Sequence, residues 1–458
     1  MKTRSNFILI LAAVAVIACS KESKVEFSKV QTFTATLETP TKTTLVAGDD
    51  GKLTKMEFKA GDAIGIFDDS GKLYKFTTAE GGSSASFTGE VTTQSSTWYA
   101  LYPYREDAKI NTSSSSKELL TILPEVQFAV KDNIPSNVSI LNASCSNEDK
   151  SLQFQHRAGY IKLNVPEGCV SVTLETLTET PLSGGYSMQY SGNYSNWSTR
   201  FRYNSVTLVA PDGGTMSAGD YYMAVLPISY TGDVLLTMRR NDGYISVKKA
   251  TGLKVGQGQI RPITVTPVWM EDDGLRLYTE EAGNQCYLGC DGAVSTVEDV
   301  TDVKLLGNKS TKWTISAKNK GYFMICFKNE KGEARMQDLS AYKDGYALEY
   351  YVQAVPKYIK DWEFYRHNYF YGSDTRVQYG SKYLNGSTYG GGDTYLGIDD
   401  NEWHRISEPL TRIADIDADK IWRIEFETKG GALETGNVLY FDDFRIVRKT
   451  ATTASSAE

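Results

Sequence analysis

The stretch from Lys55 to Tyr104 decides the fold class because it repeats one pattern four times: KMEFKAGDAIGIF (55–67), KLYKFTT (72–78), ASFTGEV (85–91) and WYALYPY (98–104). Within these segments apolar residues alternate with polar ones, and residues rich in Gly, Asp and Ser separate the segments. Alternation with a period of two is typical of a half-buried β-strand, and Gly and Asp favour tight turns. The stretch therefore predicts antiparallel strands joined by short turns.

The same signals continue along the rest of the chain. A second series of strand patterns runs from FQHRAGYIKLNV (154–165) to LKVGQGQIRPITVTPV (253–268), and a third runs from TKWTISAKN (311–319) to VLYFDDFRIVRK (438–449), with the acidic segment MEDDG (270–274) between them. We predict an all-β protein of three consecutive β-sandwiches. The predicted segments are a linker at 20–30, domains at 31–150, 151–267 and 270–449, and a disordered tail at 450–458.

The first 19 residues predict a lipoprotein signal. Lys2 and Arg4 precede an apolar run, 7–18, that is too short to span a bilayer and ends directly before Cys19. Cleavage at that point would leave Cys19 as a lipidated N-terminus that anchors the protein to a membrane. An ordinary secretory signal with a chance cysteine is the alternative.

The composition argues against a nucleic-acid partner and against a zinc site. The net charge is -7 and the sequence pI is about 5.4, whereas a nucleic-acid partner calls for a basic patch, so we expect no nucleic-acid binding. Cysteines beyond Cys19 number five, with no CxxC pair, so a zinc site is not expected and two disulfides are the maximum. Cys326, inside the apolar run GYFMICF, is expected to be a buried free thiol.

A series of short motifs carries a family resemblance over the first two predicted domains. The motifs are, in order, KTTL (42–45), FKAGDAIGIF (58–67), SFTGEV (86–91), YALYPY (99–104), LQFQHRAGYIKLNV (152–165), GDYYMAVLP (219–227) and VGQG (255–258). They resemble the fimbrillin-like (Mfa-like) lipoproteins of Bacteroidetes. The resemblance implies two fimbrillin-like β-sandwiches, used as pilus subunits or as a surface stalk, and a packed structural role for His156.

One feature departs from the polymerising members of that family. Those proteins resemble a donor-strand system, in which proteolysis after an arginine opens a groove for the next subunit's strand. No arginine lies between Arg4 and Arg105, and the expected cleavage loop near residues 40–50 offers only Lys42 and, just beyond it, Lys52. This favours a permanently anchored stalk over a pilus subunit.

The C-terminal domain, 270–449, resembles a jelly-roll carbohydrate-binding module. The segments YALEYYVQA (346–354), NEWHRISEPL (401–410) and LYFDDFRIV (439–447) carry this resemblance. It implies a β-jelly-roll sandwich and a polysaccharide or oligosaccharide ligand. Modules of this kind often hold a structural calcium near the last strand, so Asp442 is a candidate calcium ligand; no other cofactor is expected.

The segment from Trp362 to Tyr395 has 10 aromatic residues among its 34, against 12% in the whole chain. Sugar rings stack their C–H faces on aromatic rings, and tyrosine adds a hydroxyl that can hydrogen-bond. Alternation predicts that residues 365, 367, 369 and 371 share one strand face and that Phe370 lies on the other, before a loop or short hairpin. The predicted carbohydrate-binding residues are Tyr365, His367, Tyr369, Tyr371, Tyr379, Tyr383, Tyr389 and Tyr395.

Structural roles remain an alternative for these rings. Tyrosine-rich strands also occur on solvated sheet faces, and a Gly-rich loop such as STYGGGDTY (387–395) can be a plain connection. The alternating patterns around Trp313, Trp403 and Trp422 predict core positions for these tryptophans.

Catalytic motifs are weak. The chain has no HExxH, GxSxG or P-loop motif, and its three histidines, His156, His367 and His404, are not spaced as a metal pair. Abundant carboxylates leave a glycosidase as a minor alternative. We therefore expect no enzyme, but a glycan-binding lipoprotein anchored in the outer membrane and facing the cell exterior. Glycan-uptake proteins or pilus subunits are candidate partners, and a fimbrial anchor or tip adhesin is the alternative function.

Overall fold

The computed structural model describes residues 28–37, 57–112, 117–135, 138–178, 180–190, 202–279, 284–290, 295–315, 322–354, 365–371, 376–383, 401–415, 417–427 and 437–451. These ranges contain 31 β-strands and short 3-10 turns, and no α-helix occurs in them. The prediction of an all-β fold is confirmed.

The first ten strands are β1 (Lys29–Leu37), β2 (Ala63–Phe67), β3 (Leu73–Thr77), β4 (Ser84–Val91), β5 (Thr97–Tyr102), β6 (Lys109–Asn111), β7 (Glu118–Leu123), β8 (Val126–Phe128), β9 (Leu141–Ser146) and β10 (Ser151–His156). The next ten are β11 (Gly159–Val165), β12 (Cys169–Thr176), β13 (Ser183–Gln189), β14 (Arg202–Tyr203), β15 (Ser205–Val209), β16 (Gly219–Val225), β17 (Ile228–Arg240), β18 (Tyr244–Val255), β19 (Ile260–Ile263) and β20 (Met270–Glu271).

The last strands are β21 (Leu275–Tyr278), β22 (Cys286–Cys290), β23 (Ser295–Val300), β24 (Ser310–Ile315), β25 (Tyr322–Phe327), β26 (Tyr346–Ala354), β27 (Tyr365–Tyr371), β28 (Arg376–Tyr383), β29 (His404–Pro409), β30 (Arg423–Glu427) and β31 (Asn437–Arg448). The 3-10 turns described are Pro211–Gly213, Ser340–Tyr342, Leu410–Asp415 and Ala418–Lys420.

The first unit is a closed barrel of seven strands in the order β1-β10-β9-β5-β2-β3-β4. Strand β4 shows why it forms, because Ala85, Phe87 and Val91 are buried while Ser84 and Ser86 are exposed. The strands thus close on themselves where the sequence predicted a two-sheet sandwich. Strand β10, which begins just after the predicted boundary at residue 150, pairs with β1 and β9 inside this barrel.

The second unit pairs a three-stranded sheet, β16-β11-β19, with a six-stranded sheet, β20-β18-β17-β12-β15-β8. Val172 and Leu174 of β12 lie in the core between these sheets. Thr173 and Glu175 of the same strand are also buried. Because alternate residues of a strand point to opposite faces, the six-stranded sheet is covered on both faces. A further four-stranded sheet, β14-β13-β7-β6, lies outside these two.

The third unit is a β-sandwich. One sheet has the order β23-β24-β31-β26-β29, with β21 also paired to β31, and the other has the order β22-β25-β30-β27-β28. Fully buried aromatic rings fill the space between them: the Phe323 and Phe441 rings stack with centroids 5.0 Å apart, and Trp313 packs beside them. The predicted core position of Trp313 is confirmed.

Two other side chains have the predicted structural roles. The His156 ring is buried and its Nδ1 lies 2.8 Å from the Tyr160 hydroxyl, so it is part of the packing of the barrel and the second unit. Cys326 is a buried free thiol, and the other described cysteines are free as well.

The predicted signal peptide, Cys19 and the loop at 40–50 lie outside the described residues. Within the described part of the chain, no helix is long and apolar enough to cross a membrane.

Candidate functional site: the outer face of the five-stranded sheet

The tyrosine-rich segment forms one edge of the five-stranded sheet of the third unit. Strand β27 carries Tyr365, His367, Tyr369 and Tyr371 and pairs antiparallel with β28, which carries Tyr379 and Tyr383. The two strands pair where the sequence predicted a loop or a short hairpin, and only the backbone is described for 365–370 and 376–383. Tyr389 and Tyr395 lie outside the described residues.

The pairing of β27 with β30 fixes which positions share a face. Phe370 pairs with Ile424, which is fully buried in the core, whereas Tyr369 pairs with Glu425 and Tyr371 pairs with Arg423. Directly paired residues of an antiparallel ladder share a face. Positions 369 and 371 therefore belong to the outer row of the sheet, and position 370 belongs to the core row.

A β-bulge changes the row of one predicted residue. His367 pairs with Ser381 but the adjacent Asn368 pairs with Tyr379, so Gly380 is an extra residue in β28. Tyr383 pairs with Tyr365 and stays in the outer row, while position 379 falls in the row of residues 368 and 370. The register thus separates Tyr379 from the other tyrosines of the predicted site.

Four residues with described side chains form a cluster on this outer face, where β27 ends and β30 begins. The guanidinium carbon of Arg423 lies 4.5 Å from the ring centroid of Tyr371 and 4.1 Å from that of Trp422. Arg423 Nη2 lies 2.8 Å from Glu425 Oε2, and the Tyr371 hydroxyl donates to Glu425 Oε1 at 3.1 Å. The two rings, the cation and the carboxylate hold one another in a fixed geometry.

The backbone also holds this cluster in place. The Trp422 amide donates to the Tyr371 carbonyl at 2.9 Å, so the residue before β30 is tied to the last residue of β27. Arg423 Nη1 donates to the Met324 sulfur at 3.1 Å, which fixes the guanidinium from the β25 side. Side chains locked by several neighbours form a preorganised surface.

The outer face extends across the sheet toward β22. Tyr287 of β22 pairs with Cys326 of β25, which pairs with Arg423 of β30, which pairs with Tyr371. Tyr287 is 37% exposed, and burial raises the pKa of its hydroxyl. Burial likewise raises the pKa of the Cys326 thiol, so that thiol is neutral at physiological pH. Tyr287 and Tyr371 are three strand spacings apart, about 14 Å.

Several members of this face could not be identified from the sequence. Trp422 was expected in the core, but it is half-buried against Arg423. Arg423 and Glu425 occur at alternate positions of IWRIEFE (421–427), which marks a face unlike the apolar one, but the pattern did not reveal that Tyr371 lies beside them. Tyr287 and Met324 carried no signal at all, because only strand pairing brings them to this surface.

Asp442 has partners other than a metal. Its Oδ2 accepts the backbone N–H groups of Leu305 and Leu306 at 2.9 and 3.0 Å. No group of three or more metal-ligating side chains was found among the described residues. A calcium ion at Asp442 stays a prediction, and the observed contacts explain the inward carboxylate without one.

No protein-family model and no curated protein matches the chain. Solved structures similar to it include the family 30 carbohydrate-binding module of a cellulosomal cellulase of Clostridium thermocellum, with 12% identity, 38% of this chain and 98% of that chain covered, and a TM-score of 0.27. The family 11 module from the same organism, in complex with a β-1,3-1,4-mixed-linked tetrasaccharide, has 10% identity, covers 39% of this chain and 98% of that chain, and has a TM-score of 0.26.

A third similar structure is the C-terminal family 22 module of a Clostridium thermocellum protein, Xyn10B, with 13% identity, 40% and 99% coverage, and a TM-score of 0.26. At such identities and TM-scores, these similarities decide neither the family nor the ligand of this chain. The fimbrillin-like resemblance of the first two units is likewise a prediction that no match supports.

Proposed function

We propose that this protein binds a polysaccharide or oligosaccharide on the outer face of the five-stranded sheet, without catalysis. The observation that supports this most is the cluster of Tyr371, Trp422, Arg423 and Glu425, in which two aromatic rings are fixed around one ion pair. The cluster lies on the outer face of a sheet whose other face is the core of the sandwich.

The chemistry of sugars fits such a surface. The C–H faces of a pyranose are apolar and stack on aromatic rings, while its hydroxyls need donors and acceptors close by. Tyr287 offers both functions, Tyr371 offers its ring, and the partly exposed Arg423 adds a donor group. Glu425 is buried and holds the Tyr371 hydroxyl and the Arg423 guanidinium in place. Two tyrosines about 14 Å apart suit a chain of several sugars better than a monosaccharide.

The rest of the chain serves as a stalk in this proposal. The other sheet of the third unit packs on the second unit, since the buried Tyr351 and Trp403 contact a cluster that includes Val126 and Val209. That packing leaves the candidate face on the sheet opposite the stalk. We further propose that lipidated Cys19 anchors the protein to the outer membrane with this face toward the cell exterior. Proteins of glycan uptake are then its expected partners.

The proposal is tested with a glycan array probed with the full-length protein lacking the signal. We expect a set of related glycans to bind the wild type, and we expect binding to fall at least tenfold for the double variant Tyr371→Ala with Arg423→Ala. Lys249→Ala, on a strand of the second unit, is the control and should bind as the wild type does. Equal binding by the wild type and the folded double variant would place any glycan site elsewhere.

A further inference from the structure

The second and third units meet at a junction that contains buried charges. Arg405 of β29 reaches into the six-stranded sheet of the second unit, where its Nη2 lies 3.0 Å from Glu175 Oε2 of β12 and its Nη1 donates to Ser205 Oγ of β15 at 3.3 Å. The same Nη2 also contacts Glu349 of β26. The side chains that form this junction are almost completely buried.

The cations of the junction form ion pairs with particular carboxylates. Lys449 Nζ lies 2.5 Å from Glu175 Oε2, and Arg445 Nε lies 2.6 Å from Asp443 Oδ1. The Arg239 guanidinium is shared, with one nitrogen 3.6 Å from Asp443 and another 3.7 Å from Asp272.

Among the residues that the structure describes, no Lys or Arg side chain lies within ion-pair distance of Glu125. It is 2% exposed, Ser205 Oγ donates to its Oε1, and the Arg405 backbone N–H donates to its Oε2 at 3.2 Å. The His404 ring lies nearby: its Nδ1 is 3.9 Å from Glu125 Oε2, and the ring packs against Tyr203. The Arg405 guanidinium is directed to Glu175 and Glu349 instead.

The charges of the junction's described residues also indicate that Glu125 has no cation to balance it. Among the described residues, the contacts of the junction involve six carboxylates and four cationic side chains: Glu125, Glu175, Asp272, Glu349, Asp442 and Asp443 against Arg239, Arg405, Arg445 and Lys449. Burial lowers the pKa of Lys449, while Glu175 and Glu349 oppose this effect. Asp442 is compensated by two backbone N–H groups. Uncompensated charge in a buried site is costly, and a carboxyl group avoids the cost by staying protonated.

We propose that Glu125 is held as a neutral carboxylic acid when the second and third units are docked, and that its ionisation weakens the docking. A neutral Glu125 leaves the remaining charges nearly balanced: its proton lies on Oε1, which then donates to Ser205 Oγ instead of accepting from it, and Oε2 still accepts the Arg405 N–H group. The junction is thereby a pH-sensitive contact between the stalk and the unit that carries the candidate glycan face.

Two buried glutamates of the junction, Glu125 and Glu349, have pKa values shifted in opposite directions because their partners differ. Burial raises the pKa of Glu125 to about 7, against the opposing effects of His404, Ser205 and Arg405. Burial also disfavours the charged form of Glu349, but Arg405, Lys449 and Arg239 outweigh it and lower the pKa of Glu349 to about 2. Tyr351, a neighbour of Glu349 on β26, is buried, and its pKa is raised by burial and by Glu349.

The sign of the pH effect follows from linkage. In the unfolded chain Glu125 ionises at its ordinary pKa, 4.5, whereas in the folded protein it keeps its proton up to about 7. The folded state therefore binds more protons between these values, and stability falls as pH rises through this window. The folding equilibrium should weaken on the order of a hundredfold across it.

The test compares full-length wild type with Glu125→Gln, which imitates the neutral acid, and measures melting temperature from about pH 5 to about pH 8. We expect the wild type to lose stability toward the upper end relative to the variant, whose profile should be flatter. Glu298→Gln, an exposed glutamate of β23, is the control and should follow the wild type. Parallel profiles for wild type and Glu125→Gln would overturn the proposal.

A second measurement keeps the proposal testable if Glu125→Gln does not fold. Infrared spectra of the wild type should show a protonated carboxylic-acid band at about pH 6 that disappears above neutral pH, since ordinary glutamates are ionised there. Small-angle scattering over the same range should show the particle lengthen as that band is lost. A wild type with no such band at about pH 6 would refute the neutral Glu125.

Discussion

Tyr371 acts through its ring in our account, because its hydroxyl is already engaged by Glu425. Tyr371→Ala should weaken glycan binding about five- to tenfold, which corresponds to roughly 1 kcal/mol for one stacked ring. Tyr371→Phe keeps the ring and should bind within about twofold of the wild type, while losing about 1 kcal/mol of stability with the hydrogen bond. Isothermal calorimetry and thermal melting of the two variants check both expectations, and equal affinity losses in the two would mean that the hydroxyl is the contact.

Phe370 provides the opposite case in the same strand. Its backbone pairs with that of Ile424, which is fully buried, so Phe370→Ala should destabilise the third unit by about 3 to 5 kcal/mol. The fraction that remains folded should keep its glycan affinity. Denaturant unfolding monitored alongside binding separates these two effects; a loss of affinity without a loss of stability would contradict the assigned rows.

At the residue scale, the sequence predicted which positions of β27 share a face of the sheet, but it did not predict which residues of other strands lie beside them. Alternation alone places residues 369 and 371 together and residue 370 apart, because side chains in a strand have a period of two. Alternation cannot detect the bulge at Gly380, and it cannot show that Arg423 and Glu425 lie next to β27, since strand order is set by long-range pairing. The expectation of a core position for Trp422 was wrong for a similar reason. The sequence shows that Arg423 follows Trp422, but it does not show that the guanidinium packs on the Trp422 ring.

At the scale of strands and turns, the junction depends on Arg405. Removing it leaves Glu175 and Glu349 buried with fewer partners, so Arg405→Ala should destabilise the folded protein by about 3 to 5 kcal/mol. Arg240→Ala breaks a partly exposed pair with Asp242 and should cost less than about 1 kcal/mol. Chemical unfolding of the two variants gives the comparison, and similar small losses would show that the buried pairs contribute little.

The turn at Pro211–Gly213 makes a close approach to the third unit. Gly213 has φ +69°, and a Cβ there would lie 1.7 Å from the Gly307 carbonyl oxygen. Gly213→Ala should therefore force the two units apart locally while leaving every charge in place. Gly332 also has a positive φ, +81°, but a Cβ added there would meet no atom within 4 Å. The variant Gly332→Ala therefore controls for backbone strain alone. The fluorescence emission maximum of Trp403 should shift to longer wavelength in Gly213→Ala and stay unchanged in Gly332→Ala.

At the scale of the whole molecule, the sequence indicated three β units but not how they are joined. The acidic segment at 270–274 predicted a domain boundary, yet Met270 and Glu271 pair with β18 and Asp272 lies beside Arg239. Acidic residues near a junction look the same in sequence whether they are solvated or paired, so composition could not reveal the buried contact. The extent of each unit therefore remains a prediction.

The junction changes what we expect of isolated fragments. Fragments 25–267 and 270–449 should each fold, because each has its own hydrophobic core, but each should melt at a lower temperature than the full chain. Mixed together, they should form a complex, since Glu175 and Arg239 of the first fragment have their ion-pair partners in the second. Size-exclusion chromatography of the mixture checks this, and two independent peaks with unchanged melting temperatures would contradict a tight junction.

The anchor is a separate prediction. If Cys19 is the lipidated residue, Cys19→Ala should move the protein from the membrane to the soluble fraction, because the acyl chains supply most of its membrane affinity. Detergent-phase partitioning of the mutant protein measures this. Unchanged partitioning would rule out Cys19 as the anchor.

Glycan binding at the outer face of the five-stranded sheet is the property on which the proposed function depends. The most direct measurement is affinity electrophoresis of the full chain in gels containing a polysaccharide selected on the array, with wild type, Tyr371→Ala and Glu298→Gln run side by side. We expect retardation of the wild type and of Glu298→Gln, and clearly weaker retardation of Tyr371→Ala at a temperature at which circular dichroism shows that all three proteins are folded. Equal retardation of all three proteins would contradict the proposed function.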